Sequence, residues 1–166
     1  NVFIRTEHQP HVNEWTVRVQ DSAVYDAHLN PIPLARHIAG NTPHDNRFPE
    51  LPKESRPDFS MRGTYLFGGY LVAHFGHFIV ESLGRLWALD VLKIPIRGII
   101  YIKGWGWWPK SSTPTRLESY MEAILKRLAP DTEVTILDPH QLVAVEHLIV
   151  PSQLFGFHNH EGNPLF

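Results

Sequence analysis

Ile96-Arg97-Gly98-Ile99-Ile100-Tyr101-Ile102 is an almost unbroken apolar run rich in β-branched residues, the texture of a parallel strand covered on both faces. Pro95 stands directly before it and stops whatever precedes. Working back, residues 75–91 read as a helix, and Thr64-Tyr65-Leu66-Phe67 as a short buried strand closed by Gly68-Gly69. Working forward, Gly104 to Pro109 is an aromatic loop, and residues 111–113 offer helix caps with Pro114 near the first helical position. Leu117, Tyr120, Met121, Ile124, Leu125 and Leu128 then form an apolar stripe at spacings of three and four. Pro130-Asp131 ends that helix, residues 134–137 are a further strand, and 142–143 and 147–150 are shorter strand candidates. Strands alternating with helices predict an α/β fold: a Rossmann-like, mostly parallel sheet with flanking helices. Ligands of such sheets sit at the carboxyl ends of the strands. The turn from Phe67 to His77 and the loop from Gly104 to Pro109 are the two places that qualify.

The first thirty residues have a different texture. Val2-Phe3-Ile4 is a short strand, Trp15, Val17 and Val19 alternate with Thr16, Arg18 and Gln20, and Ala23-Val24-Tyr25 precedes a turn-rich stretch from Asp26 to Pro31. Together they predict a small antiparallel β meander. Residues 31–60 then hold six prolines and read as an irregular surface connection. The expected organisation is a meander and Pro-rich connection over 1–60, followed by a Rossmann-like lobe over 61–166.

Composition narrows the function. The 166 residues carry a formal charge of −2 and no cysteine. Without a basic excess there is nothing to neutralise a phosphate backbone, so no nucleic-acid partner is expected. Disulfide scaffolds, thiolate-bound zinc and thiol catalysis are excluded. The longest apolar candidate for a membrane span, residues 65–80, is interrupted by His74 and His77, so no transmembrane segment is expected here. The chain opens at Asn1 without a methionine and stops on Leu165-Phe166; it reads as a piece of a longer protein.

The segment His74-Phe75-Gly76-His77-Phe78-Ile79-Val80-Glu81-Ser82-Leu83-Gly84-Arg85-Leu86-Trp87 carries most of the chemistry. On a regular helix, His74, His77, Glu81 and Arg85 fall within an arc of roughly 80°. Phe75, Ile79, Leu83 and Leu86 lie on the far side, which predicts that the apolar side packs on the sheet and the polar stripe faces a cleft. The same spacing also describes an ordinary Glu81–Arg85 surface pair with histidines near a helix start. As a functional cluster, His77 suits a general base, with Glu81 either orienting its ring or acting as the base itself. His74 stands where a substrate would be met, and Arg85 would either hold the acid in place or meet an anionic group of the substrate. His74, His77 and Glu81 could in principle ligate a metal, although the spacing is not the His-Glu-x-x-His of zinc peptidases. Trp105, Trp107 and Trp108 could stack against sugar rings, or pack beneath a neighbouring lobe. Residues 158–161 (His-Asn-His-Glu) are a polar cluster near the end. No Asp-x-Asp motif occurs.

The run Gly63-Thr64-Tyr65-Leu66-Phe67-Gly68-Gly69, followed by residues 74–86, resembles the signature of glycosyltransferase family 61. His77 matches the family histidine, Phe78 its aromatic, Glu81 its acid and Arg85 its arginine. The acid is more often Asp in that family, and Gly84 stands where Pro is common. Residues 142–152 resemble the family strand that follows, so the likeness covers roughly residues 60–155. It implies a GT-B type fold, in which two Rossmann-like lobes face each other across a cleft. It also implies inverting transfer from a sugar nucleotide to a glycan or polysaccharide acceptor, without a metal cofactor. This chain would be the N-terminal, acceptor-side lobe, partnered by a C-terminal donor lobe of the same protein and inactive without it. The location would be cytoplasmic in a bacterium and the secretory-pathway lumen in a eukaryote. The alternatives from the residues themselves are a noncatalytic carbohydrate-binding module built on the Trp105–Trp108 loop and a His-ligated metal hydrolase.

Overall fold

The computed structural model describes residues 2–5, 23–35, 51, 55–103, 116–138 and 141–154. Among the described residues, six strands form one sheet: β1 (Val2–Arg5), β2 (Ala23–Tyr25), β3 (Phe59–Leu71), β4 (Gly98–Lys103), β5 (Glu133–Leu137) and β6 (Leu142–Ile149). Their order is β2-β1-β6-β3-β4-β5. The four strands β6, β3, β4 and β5 run parallel, and β1 and β2 add an antiparallel edge. The fold is α/β with a mostly parallel sheet and flanking helices. The 96–102 run is β4, and alternate residues of it face two different cores, as a strand buried on both faces requires. Ile99 and Tyr101 pack with Leu66, Leu71 and the helices; Ile100 and Ile102 pack with Phe67, Tyr70, Ile4, Val24, Val143 and Val145.

Several elements depart from the sequence expectation. β1 and β2 are not a detached meander: β1 pairs with β6 and belongs to the main sheet. The division expected at residue 60 falls inside β3, which runs straight through Gly68-Gly69 to Leu71. The two short candidates near the end are one strand, β6. The Trp15–Val19 alternation, most of the Pro-rich connection, the 111–113 caps, the loop bearing Trp105, Trp107 and Trp108, and the 158–161 cluster lie outside the described residues.

The expected long helix is broken into pieces. α1 (Phe75–His77) is a single turn, it opens into a π-helical turn over Phe78–Ser82, and α2 (Trp87–Leu92) follows after a tight turn. The Leu83 amide donates to Phe78 O at 3.0 Å, five residues back, and the Gly84 and Leu86 amides reach only three residues back. Gly76, Ser82 and Gly84 are poor helix formers, and Gly84 permits a close approach that a Cβ would block, 2.8 Å from Val80 O. α2 ends at Lys93 in a left-handed conformation, two residues before Pro95. The second helix, α3 (Ser119–Leu128), is regular, with Met121 and Leu125 buried and Leu128 about half exposed.

The register shows that the sheet is bent. Leu137 is level with Ile102, and Ile102 with Tyr70; Val143 is level with Phe59. Along a flat sheet, Phe59 and Tyr70 would be roughly 35 Å apart. Only residues 138–141 join β5 to β6, and such a link reaches about 18 Å when fully extended. The first halves of β3 and β6 therefore fold back together over one face, which brings Val143 and Val145 into the same core as Leu137. The fold-back coincides with the register shift between Met61 and Thr64. There Gly63 takes φ +105° and gives its amide to Glu146 Oε2 at 2.7 Å.

Candidate functional site

β3 is the strand at which the chain order reverses. From it the chain moves outward through β4 and β5, then returns to place β6 on the other side. The segments leaving the carboxyl ends of β3 and β6 meet at this point. Trp87 Nε1 donates to Ser152 O at 3.0 Å, the Leu154 amide donates to Gly84 O at 3.0 Å, and Arg85 Nη1 donates to Pro151 O. The stretch after β6 is thus laid across the broken helix, and Gln153 is buried with it.

The polar stripe lies on the opposite side from the one expected. Phe75 is 60% exposed and Ile79 40%, whereas His77, Glu81 and Arg85 are buried. Helical breaks at 78–86 abolish the single regular face on which the expectation rested. Phe78 and Leu86 pack on the sheet, and His77 and Glu81 turn inward with them. Within this stripe, His77 Nδ1 lies 3.1 Å from Glu81 Oε2, with side-chain exposures of 10% and 3%. The His77 side chain thus keeps about a tenth of its surface exposed. His74, exposed, packs edge-on against it with ring centroids 5.2 Å apart. α1 has only three residues, and His74 stands at its N-cap without a side-chain cap bond.

Arg85, expected to hold the acid or to meet an anionic group, lies inside the core. It is 1% exposed, its guanidinium donates to Leu34 O at 2.7 Å and to Pro151 O, and it stacks 5.4 Å from the Phe67 ring centroid. Burial pushes its pKa down to about 10 from 12.5. Gly69, at φ +90°, makes room for it: a Cβ there would stand 3.1 Å from Arg85 Nε. Arg85 joins three chain segments from inside the core.

Two supporting residues carried no sequence expectation. Ser82 is fully buried; its hydroxyl donates to Tyr70 O at 2.8 Å and accepts from the Val72 amide at 3.1 Å. Tyr101 OH donates to Ser82 O at 3.0 Å, and burial pushes the Tyr101 phenol well above its usual range. A serine in the middle of an apolar stretch, and a tyrosine in a strand buried on both faces, are the signals that mark them. Lys103, which ends β4 opposite Leu71 of β3, reaches Asp138 at 3.4 Å.

Among the described residues, no three His, Asp or Glu side chains stand close enough to hold a metal ion, and no helix is long and apolar enough to cross a membrane. Comparison with protein-family models, curated proteins and solved structures returned no match.

Proposed function

We propose that this chain is the acceptor-side lobe of an inverting glycosyltransferase, with His77 as general base and Glu81 as the carboxylate that orients it. The observation that carries the proposal is the His77 Nδ1–Glu81 Oε2 contact of 3.1 Å at the carboxyl end of β3. A carboxylate on Nδ1 favours the tautomer with the proton there and leaves the Nε2 lone pair to accept another. An inverting transfer asks for one such group: it takes the acceptor hydroxyl proton as the oxygen attacks the sugar carbon and the nucleoside diphosphate departs. The buried carboxylate then balances the imidazolium.

Two further features support this reading. The strand order β5-β4-β3-β6, with its reversal beside β3, agrees with a Rossmann-like half-sheet, in which ligands bind at such a point. The residues that form the contact are also those of the resemblance to glycosyltransferase family 61. On this reading the acceptor reaches His77 past His74, the donor occupies a second lobe, and Trp105, Trp107 and Trp108, which follow β4 in sequence, contact the acceptor.

The test is nucleotide release by the polypeptide that contains these residues, assayed against a panel of sugar nucleotides with glycan acceptors. Loss of a general base predicts a fall of about 10²–10⁴-fold for His77→Ala, and a smaller one for Glu81→Gln. Turnover unchanged in a folded His77→Ala variant refutes the assignment. Glycan binding without nucleotide release points to the carbohydrate-binding module.

A further inference from the structure

We infer that Ser82, held in place by Tyr101, is the positioning residue that fixes His77 as its Nδ1–H tautomer. The π-helical turn over Phe78–Ser82 is an uncommon conformation, and it leaves backbone groups for other partners to satisfy. In an α-helix the Ser82 carbonyl would receive the amide of residue 86, but the Leu86 amide goes to Leu83 O at 2.9 Å. The Tyr101 hydroxyl takes over that carbonyl at 3.0 Å. On its other side Ser82 closes two backbone groups around the end of β3, the Tyr70 carbonyl and the Val72 amide. One residue thus anchors the turn to β3 through its side chain and to β4 through its backbone.

Glu81 is the residue next to this anchor, and its carboxylate meets the His77 ring from within the same turn. Without the bonds to Tyr70 and Val72 the turn is no longer tied to the end of β3. Lifted from the sheet, the buried Glu81 carboxylate and His77 ring meet water, which competes for both groups and weakens the hold of the carboxylate on Nδ1. Gly68 is part of the same device. A Cβ on Gly68 would stand 2.4 Å from Tyr101 Cε1, so only glycine lets the phenol ring lie flat on β3 and reach Ser82. This inference rests on the hydrogen-bond geometry and does not depend on the transferase reading.

The experiment is NMR of the chain labelled with ¹⁵N-histidine, under conditions where the His77 ring is neutral. His77 should be mainly Nδ1–H in the wild type. Ser82→Ala removes both side-chain bonds, and the tautomer ratio should move toward Nε2–H by up to about tenfold, the factor that the hydrogen bond from Nδ1 to Glu81 is worth. Tyr101→Phe should shift it the same way, by less. A wild-type His77 that is mainly Nε2–H overturns the inference. So does a folded Ser82→Ala or Tyr101→Phe variant that loses stability but keeps the wild-type ratio. If Ser82→Ala does not fold, Tyr101→Phe decides alone.

Discussion

Gly68→Ala adds one methyl group to β3, and the structure says where that group goes. Gly68 has no left-handed backbone to lose, unlike Gly63 and Gly69, so the effect is steric. The new Cβ would lie 2.4, 2.6 and 2.8 Å from Cε1, Cζ and Cδ1 of Tyr101. That ring is completely buried and tethered through its hydroxyl to Ser82 O, so it cannot swing into water. Overpacking of this kind costs about 1–3 kcal/mol. Displacing the ring also breaks its hydrogen bond and leaves a buried carbonyl unpaired, about 1–3 kcal/mol more. The expected loss of stability is about 2–6 kcal/mol, read from urea denaturation followed by tryptophan fluorescence. In a chain of this length each kcal/mol lowers Tm by roughly 2–4 °C. The decisive measurement is a double-mutant cycle with Tyr101→Val. Removing the ring opens the space the methyl needs, so in that background Gly68→Ala should cost less than about 1 kcal/mol, a strong favourable coupling. If the two costs simply add, the ring does not occupy that position and the support assigned to Ser82 goes with it.

Tyr101 also sets an alkaline limit. Its phenol is pushed above its ordinary value of 10 in the fold, so the native state keeps a proton that the unfolded chain releases. The stability due to the neutral phenol is complete below pH 10 and is lost as pH rises above it. Arg85 has the opposite sign, since its native value falls to about 10 from 12.5 and stability rises with pH across that interval. Tyr101→Phe isolates the first effect: its stability relative to wild type should improve steadily above pH 10 in denaturation measured at each pH, and a constant difference contradicts the burial. Arg85→Lys keeps a charge but loses the planar guanidinium that stacks on Phe67 and whose Nη1 serves both Leu34 O and Pro151 O, so it should lower stability by about 1–3 kcal/mol in urea denaturation. Trp87→Phe removes the 3.0 Å bond to Ser152 O and part of a ring packed against the core, and should cost at least about 0.5–1.5 kcal/mol in urea denaturation.

The parts of the fold legible in sequence are those set by local pattern. The β-branched run gave β4, the stripe ending at Leu128 gave α3, and residues 134–137 gave β5, because each element's face is written in its own periodicity. The breaks in the first helix were not legible in that way. Residues 75–91 satisfy a helical pattern throughout, and what interrupts it is distant in sequence: Tyr70 and Val72 take Ser82, Tyr101 takes its carbonyl, and Leu34 and Pro151 take Arg85. A periodicity argument assigns Phe75 and Ile79 to the core and the polar stripe to the surface, and those tertiary bonds reverse both. Gly68-Gly69 misled for a related reason. A glycine pair reads as a strand end, yet these two keep β3 going while making space for Tyr101 and Arg85.

The part of the candidate site that the sequence did indicate is the pairing of His77 with Glu81, since a separation of four brings side chains together in an α-helix and still does so here. The two stretches of the family resemblance, 63–86 and 142–152, could not be related to one another by reading along the chain. They are joined by the bend in the sheet. Because 138–141 is too short to cross a flat sheet, β6 must start where β3 folds back, and running parallel to β3 it then carries Pro151 and Ser152 to the carboxyl edge. A longer link would leave the entry of β6 free, and the contacts with Arg85 and Trp87 would have nothing to fix their register. The short connection, the Gly63 bulge and the buried Arg85 are therefore parts of one constraint, and it is this constraint that holds the broken helix with His77 and Glu81 against the end of β3.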